Sequence, residues 1–120
     1  MTKRLLVIDD EPDFCDFVAD VAEGVGYETR KVTDPLEFKE AYHSFNPVTI
    51  VIDMVMPDLG GSEIIGWLVE QKCKAKVLIV TGYSPINARS AQLQSSAKGL
   101  PQVKTFTKPV STSKLRAALS

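Results

Sequence analysis

The sequence predicts an α/β fold built around a five-stranded parallel sheet. Strand-like and helix-like segments alternate along the chain, and three of the strands are nearly continuous apolar runs. Such alternation favours parallel strands joined by helices, and apolar runs are typical of strands that helices cover on both faces. With 120 residues, 44% of them hydrophobic, the chain has the size of one domain with a substantial core.

The five predicted strands occupy residues 4–9, 27–32, 48–53, 75–82 and 102–109. The first, third and fourth are apolar, whereas the second and fifth alternate with polar residues and therefore belong at the sheet edges. The order 2-1-3-4-5 meets these requirements and is one of the two common doubly wound orders, with right-handed crossovers.

Five predicted helices follow the strands, at residues 11–26, 34–45, 61–73, 84–99 and 111–120. Pro12 and Pro35 suit first helical turns, Asp34 suits an N-cap, and Ser111 or Ser113 suits the cap of the last helix. The fourth of these helices is polar and has a weak apolar stripe.

The composition excludes several classes of protein. The chain has 14 basic and 15 acidic residues and a net charge of -1, without the basic clusters of a nucleic-acid-binding surface. No apolar run approaches the ~18 residues of a membrane-spanning helix. Cys15 and Cys73 lie within helical patterns and are predicted to be reduced thiols, as is usual in the cytoplasm. We therefore expect a cytoplasmic protein that binds neither nucleic acid nor a membrane.

Polar side chains stand where four of the predicted strands end. The first strand ends at Asp9 and Asp10, the third at Asp53, the fourth at Thr81 and the fifth at Lys108. In a sheet of this order, ligands bind outside the carboxyl ends of the strands, where the strand order reverses between strands one and three. We therefore expect these five side chains to converge on one site.

The chemistry of such a set favours phosphoryl transfer. Crowded carboxylates need a cation or a proton between them, and oxygen ligands suit Mg²⁺. A lysine and a hydroxyl can neutralise phosphoryl oxygens, and an aspartate can act as the nucleophile. Taken singly, Asp53 could be a turn residue, Thr81 an ordinary strand residue and Lys108 a solvated charge; their combination favours the site.

The same residues carry a family resemblance. "VIDDE", "DMVMPDLGG", "TG" and "KP" follow one another along the chain at these spacings. With them, the whole chain resembles the chemotaxis-regulator-like receiver domain of bacterial two-component response regulators. The resemblance implies one receiver domain over residues 1–120 with a flavodoxin-like (βα)5 fold, and chemotaxis regulators are a known example of the 2-1-3-4-5 order.

The resemblance also implies a metal site. Asp10 would bind Mg²⁺ directly and Asp9 mainly through water, with Asp53 and the backbone carbonyl of Val55 as further ligands. Mn²⁺ is the alternative ion.

By the same resemblance, Asp53 accepts the phosphoryl group. Thr81 would donate a hydrogen bond to one phosphoryl oxygen and Lys108 would pair with another. Pro109 would follow a cis peptide bond.

One position departs from the family pattern. Receivers commonly carry Tyr or Phe three residues before the lysine, as the partner of the threonine in a conformational switch, and here that residue is Thr105. Phe106 lies one residue later and, by strand alternation, faces the other side of the sheet, where we expect it in the core. The switch set is then Thr81, Thr105 and Phe106, without the usual rotating aromatic ring.

The resemblance implies a phosphorylatable signalling switch. A histidine kinase or a histidine phosphotransfer protein would donate the phosphoryl group. The chain would catalyse only its own phosphorylation and dephosphorylation. An output domain or a downstream partner would bind the face formed by the predicted fourth helix, fifth strand and fifth helix. The sequence leaves open whether the chain is a stand-alone receiver or part of a longer regulator.

Two other classes remain beside the switch. A receiver-like interaction module that does not need phosphorylation is favoured slightly by Thr105. A small hydrolase or a flavin-binding protein of similar fold is weaker, because Val55 stands where an aspartyl hydrolase has a second acid. The acidic "DDEPD" would also repel the phosphate of a flavin unless a metal were bound.

Overall fold

The computed structural model describes residues 3–53, 61–81, 99–100 and 102–120. These parts of the chain form five strands and four helices. The strands are β1 (Lys3–Ile8), β2 (Tyr27–Val32), β3 (Thr49–Asp53), β4 (Lys76–Thr81) and β5 (Gln102–Thr107). The helices are α1 (Pro12–Gly24), α2 (Pro35–Phe45), α3 (Gly61–Glu70) and α4 (Thr112–Leu119). The predicted helix at 84–99 lies, but for Gly99, outside the described residues.

The strands form one parallel sheet in the order β2-β1-β3-β4-β5, as predicted. The register pairs Ile8 of β1 with Ile52 of β3, and Thr81 of β4 with Thr107 of β5. The residues that follow Ile8 and Ile52, Asp9 and Asp53, therefore lie side by side at the carboxyl edge of the sheet.

Two layers of helices cover the sheet and explain its apolar strands. Alternate strand residues such as Leu6, Ile52 and Ile79 pack in one cluster with Phe38 of α2 and Leu68 of α3. The intervening residues pack in a second cluster with α1 and α4; its members include Leu5, Val7, Val51, Leu78, Val18 and Leu115. The edge strands β2 and β5 keep exposed positions, which confirms the assignment of the edges.

The helices begin at the residues that the sequence indicates. Pro12 starts α1. The Asp34 carboxylate accepts hydrogen bonds from the backbone N–H groups of Leu36 and Glu37, and the Ser111 hydroxyl accepts one from Lys114. Both caps satisfy donors that a first helical turn leaves unpaired.

Strands β1 and β5 end earlier than predicted. β1 ends at Ile8 and β5 at Thr107, so Asp9 and Lys108 follow their strands instead of closing them. The reason at β1 is local: the carboxylate of Asp9 accepts a hydrogen bond from the Glu11 N–H and begins the turn into α1. Within the described residues, no helix is long and apolar enough to cross a bilayer.

Removing the cap of α2 tests its contribution. We expect Asp34→Ala to lower the free energy of unfolding by about 1 kcal/mol, since two N–H groups lose their acceptor. Urea unfolding followed by circular dichroism measures the change, with Glu40→Ala, an exposed acid within the same helix, as the control. Equal stability of the two variants would contradict the capping role.

Candidate functional site

The carboxyl edge of the sheet brings together the acidic residues predicted for the site. Asp9 follows β1 and Asp53 ends β3; their exposed fractions are 0% and 1%. Asp10, the next residue along the chain, is exposed. Two carboxylates are thus enclosed by protein at one point, with a third at the surface beside them.

Lys108 supplies positive charge to both buried carboxylates. Its Nζ lies 2.9 Å from Asp53 Oδ2 and 3.5 Å from Asp9 Oδ2, and its side chain is 14% exposed. Burial alone would lower the pKa of Lys108, but the hydrogen bond to Asp53 and the charges of Asp53 and Asp9 outweigh burial and raise the pKa. The lysine therefore stays charged at neutral pH.

Asp9 is held in an environment that disfavours its ionised form. Its Oδ1 accepts the Glu11 N–H at 2.9 Å. Its Oδ2 forms no hydrogen bond within the described residues, although the Lys108 ammonium lies 3.5 Å away. Burial, followed by the contact with Asp53, raises the pKa of Asp9 from 3.8 to about 8. One lysine does not balance the pair, so a proton or a further cation is needed at neutral pH.

The three carboxylates meet the requirements of a hard divalent cation. Asp9, Asp10 and Asp53 each offer one oxygen, and these oxygens all lie within 4.8 Å of one another. An all-oxygen donor set with excess negative charge suits Mg²⁺, Mn²⁺ or Ca²⁺. The raised pKa of Asp9, caused first by burial and then by the contact with Asp53, indicates that this edge favours a proton or a further cation.

Two predicted site residues, Val55 and Thr81, lie wholly or partly outside the described residues. Val55 lies in the undescribed segment 54–60. The backbone of Thr81 ends β4, beside β5, but its side chain is outside the described part of the structure. The peptide bond between Lys108 and Pro109 is cis, which agrees with the resemblance.

The two other residues predicted as switch positions lie on β5. Thr105 is exposed. Phe106 is half-buried and packs against the cluster of α1 and α4, which confirms that it contributes to the core.

One site neighbour was not predicted. The ring of Phe14, in α1, has its centroid 4.4 Å from Lys108 Nζ. Its spacing in the sequence indicated only the inner face of a helix. A signal was available in principle, because Phe14 follows the acidic turn by one helical turn and must lie near the same edge of the sheet.

Comparison with known proteins identifies the family. The sequence matches the family model for the response regulator receiver domain over residues 5–120. The chain belongs to this family. Receiver domains are phosphorylatable switches of two-component signalling and are generally not enzymes that act on other substrates.

Curated relatives differ in how much of their length the receiver occupies. PhoP, the alkaline phosphatase synthesis transcriptional regulatory protein of Bacillus subtilis, is 31% identical over 81 residues, which are 68% of this chain and 34% of PhoP. TrcR of Mycobacterium tuberculosis is 28% identical over 116 residues, 97% of this chain and 43% of TrcR. The polar-differentiation response regulator DivK of Brucella ovis is 28% identical over 86 residues, 70% of each chain. This receiver thus spans less than half of the two transcriptional regulators.

Solved structures share the fold. A response regulator of Burkholderia pseudomallei, with a phosphorylated aspartic acid, a calcium ion and citrate, is 26% identical with a TM-score of 0.82, covering 98% of this chain and 66% of that one. A CheY-like receiver domain of Methanospirillum hungatei is 23% identical with a TM-score of 0.83, covering 99% and 91% of the two chains. The second likeness supports the fold alone.

The unbalanced charge at the edge should appear in the pH dependence of stability. Between pH 3.8 and about 8 the folded protein retains a proton on Asp9 that the unfolded chain releases. Without metal, stability should therefore fall as the pH rises through this range. Asp9→Asn is neutral without taking up a proton, so we expect it to be more stable than the wild type at pH 7.5 by on the order of 2 kcal/mol.

Urea unfolding in EDTA at pH 5.5 and 7.5 measures this difference. Asp20→Asn, an exposed aspartate of α1, is the control and should keep the wild-type pH dependence. If Asp9→Asn also kept that dependence, another group would be responsible for it.

Proposed function

We propose that this chain is a receiver that takes a phosphoryl group on Asp53 from a histidine kinase or a histidine phosphotransfer protein. The observation that carries the proposal is the contact of the buried Asp53 carboxylate with Lys108 at 2.9 Å, beside Asp9 and Asp10. Membership of the receiver family supports it. So does the phosphorylated aspartic acid in the related response regulator of Burkholderia pseudomallei.

Asp53 is the nucleophile of the proposed reaction. One of its carboxylate oxygens attacks the phosphorus of a phosphohistidine, the P–N bond breaks, and the imidazole leaves with the electron pair of that bond. The product is an acyl phosphate. Because Asp53 is held at the end of a central strand and is almost fully enclosed, its approach to the donor is fixed by the sheet.

Asp9, Asp10 and Asp53, with the backbone carbonyl of Val55, are proposed to hold Mg²⁺, with Mn²⁺ as the alternative. Mg²⁺ at this position supplies the positive charge that offsets the carboxylates and the phosphoryl oxygens. Its carboxylate ligands lie within 4.8 Å of one another, and the calcium ion in the Burkholderia structure supports a divalent-cation site.

Lys108 and Thr81 complete the proposed site. Once an Asp53 oxygen enters the bond to phosphorus, the Lys108 ammonium pairs with a phosphoryl oxygen instead. The Thr81 hydroxyl donates a hydrogen bond to another. No separate substrate is converted, so the chain catalyses only its own phosphorylation and dephosphorylation.

We further propose that one receiver domain occupies residues 1–120 and acts in the cytoplasm. Its output surface would be the predicted fourth helix (84–99) together with β5 and α4, where an output domain or a downstream partner would bind. Lys108 directly follows β5. A change of its partner from the Asp53 carboxylate to a phosphoryl oxygen would therefore affect the end of β5, which is part of this surface. Thr81, Thr105 and Phe106 are the proposed switch positions.

The alternative is a receiver-like module that binds partners without phosphorylation. Thr105, which replaces the usual aromatic residue and is exposed, favours it. Against it stands the assembled set of Asp9, Asp10, Asp53 and Lys108, which a module of this kind does not require.

Incubation with acetyl phosphate and Mg²⁺ decides between the two. We expect wild-type protein to gain the mass of one phosphoryl group, and Asp53→Asn to gain none, because an amide is a poor nucleophile. Intact-protein mass spectrometry measures the change, and EDTA should abolish it. A wild-type protein that stays unmodified would favour the interaction module.

Metal binding should depend on Asp10 and not on its acidic neighbours in α1. Asp10 is exposed, so Asp10→Ala should leave the fold intact while weakening Mg²⁺ binding roughly tenfold or more. Titration followed by NMR chemical shifts measures the affinity. Asp13→Ala, another exposed acid, is the matched control and should bind as the wild type does. Equal affinity of the two variants would remove Asp10 from the site.

A further inference from the structure

Lys108 contacts a third group besides the two buried carboxylates. The centroid of the Phe14 ring lies 4.4 Å from its ammonium nitrogen, within the range of a cation–π contact. Phe14 is half-buried and packs against the cluster of α1 and α4. The adjacent Phe17 ring, 6.0 Å away between centroids, packs against the same cluster.

The Phe14 ring attracts the lysine in a different way from a carboxylate. A carboxylate brings a full negative charge and occupies one of the three N–H donors of the ammonium. A ring face attracts the cation without a full negative charge of its own. The attraction is stronger where the cation is removed from water, and the Lys108 side chain is only 14% exposed. A leucine at position 14 would fill similar space without this attraction.

We propose that Phe14 is a positioning residue for the reaction of Asp53. Its ring keeps the Lys108 ammonium at the carboxyl edge while the partner of that ammonium changes from the Asp53 carboxylate to a phosphoryl oxygen. Lysine is a flexible, strongly hydrated side chain, so without the ring it would spend more time in solvent. The inference rests on the proposed function, because it assigns Phe14 a part in the same transfer.

The rate of phosphoryl uptake tests this role. Acetyl phosphate at saturating Mg²⁺ is the donor; an Asp53 oxygen forms the bond to phosphorus and acetate leaves with the electrons of the broken P–O bond. We expect Phe14→Leu and Phe14→Met to react roughly five- to tenfold more slowly than the wild type. Phe14→Tyr, which keeps the ring face, should stay within about twofold of the wild type.

Phe17→Leu is the matched control, since Phe17 is a half-buried phenylalanine of the same helix and cluster. It should lose stability to a similar degree as Phe14→Leu and keep the wild-type rate. NMR supplies a second readout: the ε-methylene protons of Lys108 should be shifted upfield by the ring in the wild type and in Phe14→Tyr. In Phe14→Leu they should return to the usual position for lysine, which a purely structural role would not require.

The outcomes separate the two proposals. Uptake by the wild type, with equal or faster uptake by Phe14→Leu and Phe14→Met, overturns the positioning role and leaves the proposed function intact. A rate lost equally in Phe17→Leu and Phe14→Leu also overturns it, since packing alone would then explain both. A wild-type protein that takes up no phosphoryl group overturns the proposed function and this inference together.

Discussion

The whole site depends on two buried carboxylates that share one lysine. Asp9 and Asp53 are adjacent because the register pairs Ile8 with Ile52, and they are enclosed because helices cover both faces of the sheet. Removing two negative charges from water is costly, and a single ammonium does not offset both. Burial, followed by the contact with Asp53, raises the pKa of Asp9. An acidic cluster with this deficit of positive charge favours a proton or a divalent cation.

The ends of two neighbouring strands position the two buried carboxylates. β3 lies at the centre of the sheet and carries Asp53 into the enclosed edge, while β1 ends one residue before Asp9. The Asp9 carboxylate then accepts the Glu11 N–H, so one side chain both starts the turn into α1 and faces the cluster. The apolar clusters on the two sheet faces fix β1 and β3 against movement, which keeps the carboxylates together despite their repulsion.

Most of the fold and of the charged site could be predicted from the sequence, because both depend on strand patterns. The apolar and alternating strands indicate the order of the sheet, and the polar residues at or just after the strand ends indicate Asp9, Asp53 and Lys108. The position of Phe14 one helical turn after the acidic turn indicates that it lies near this edge. Its contact with Lys108 needed the structure, since helical periodicity does not say which side chain Phe14 meets there. The protonation of Asp9 depends on burial and on a neighbour 44 residues away along the chain, and both are properties of the folded protein.

Lys108 connects the charge imbalance to the rest of the molecule. It is the residue after β5, and Val110, two residues later, packs against the cluster that holds α1 and α4. This lysine contacts Asp53 at the end of β3, Asp9 in the turn after β1, and the Phe14 ring in α1. A change in charge at Asp53 alters the relative strength of these three contacts, because the position of the ammonium depends on how strongly each partner attracts it. A conformational response requires such differential contacts, and here they act on the segment that joins β5 to α4.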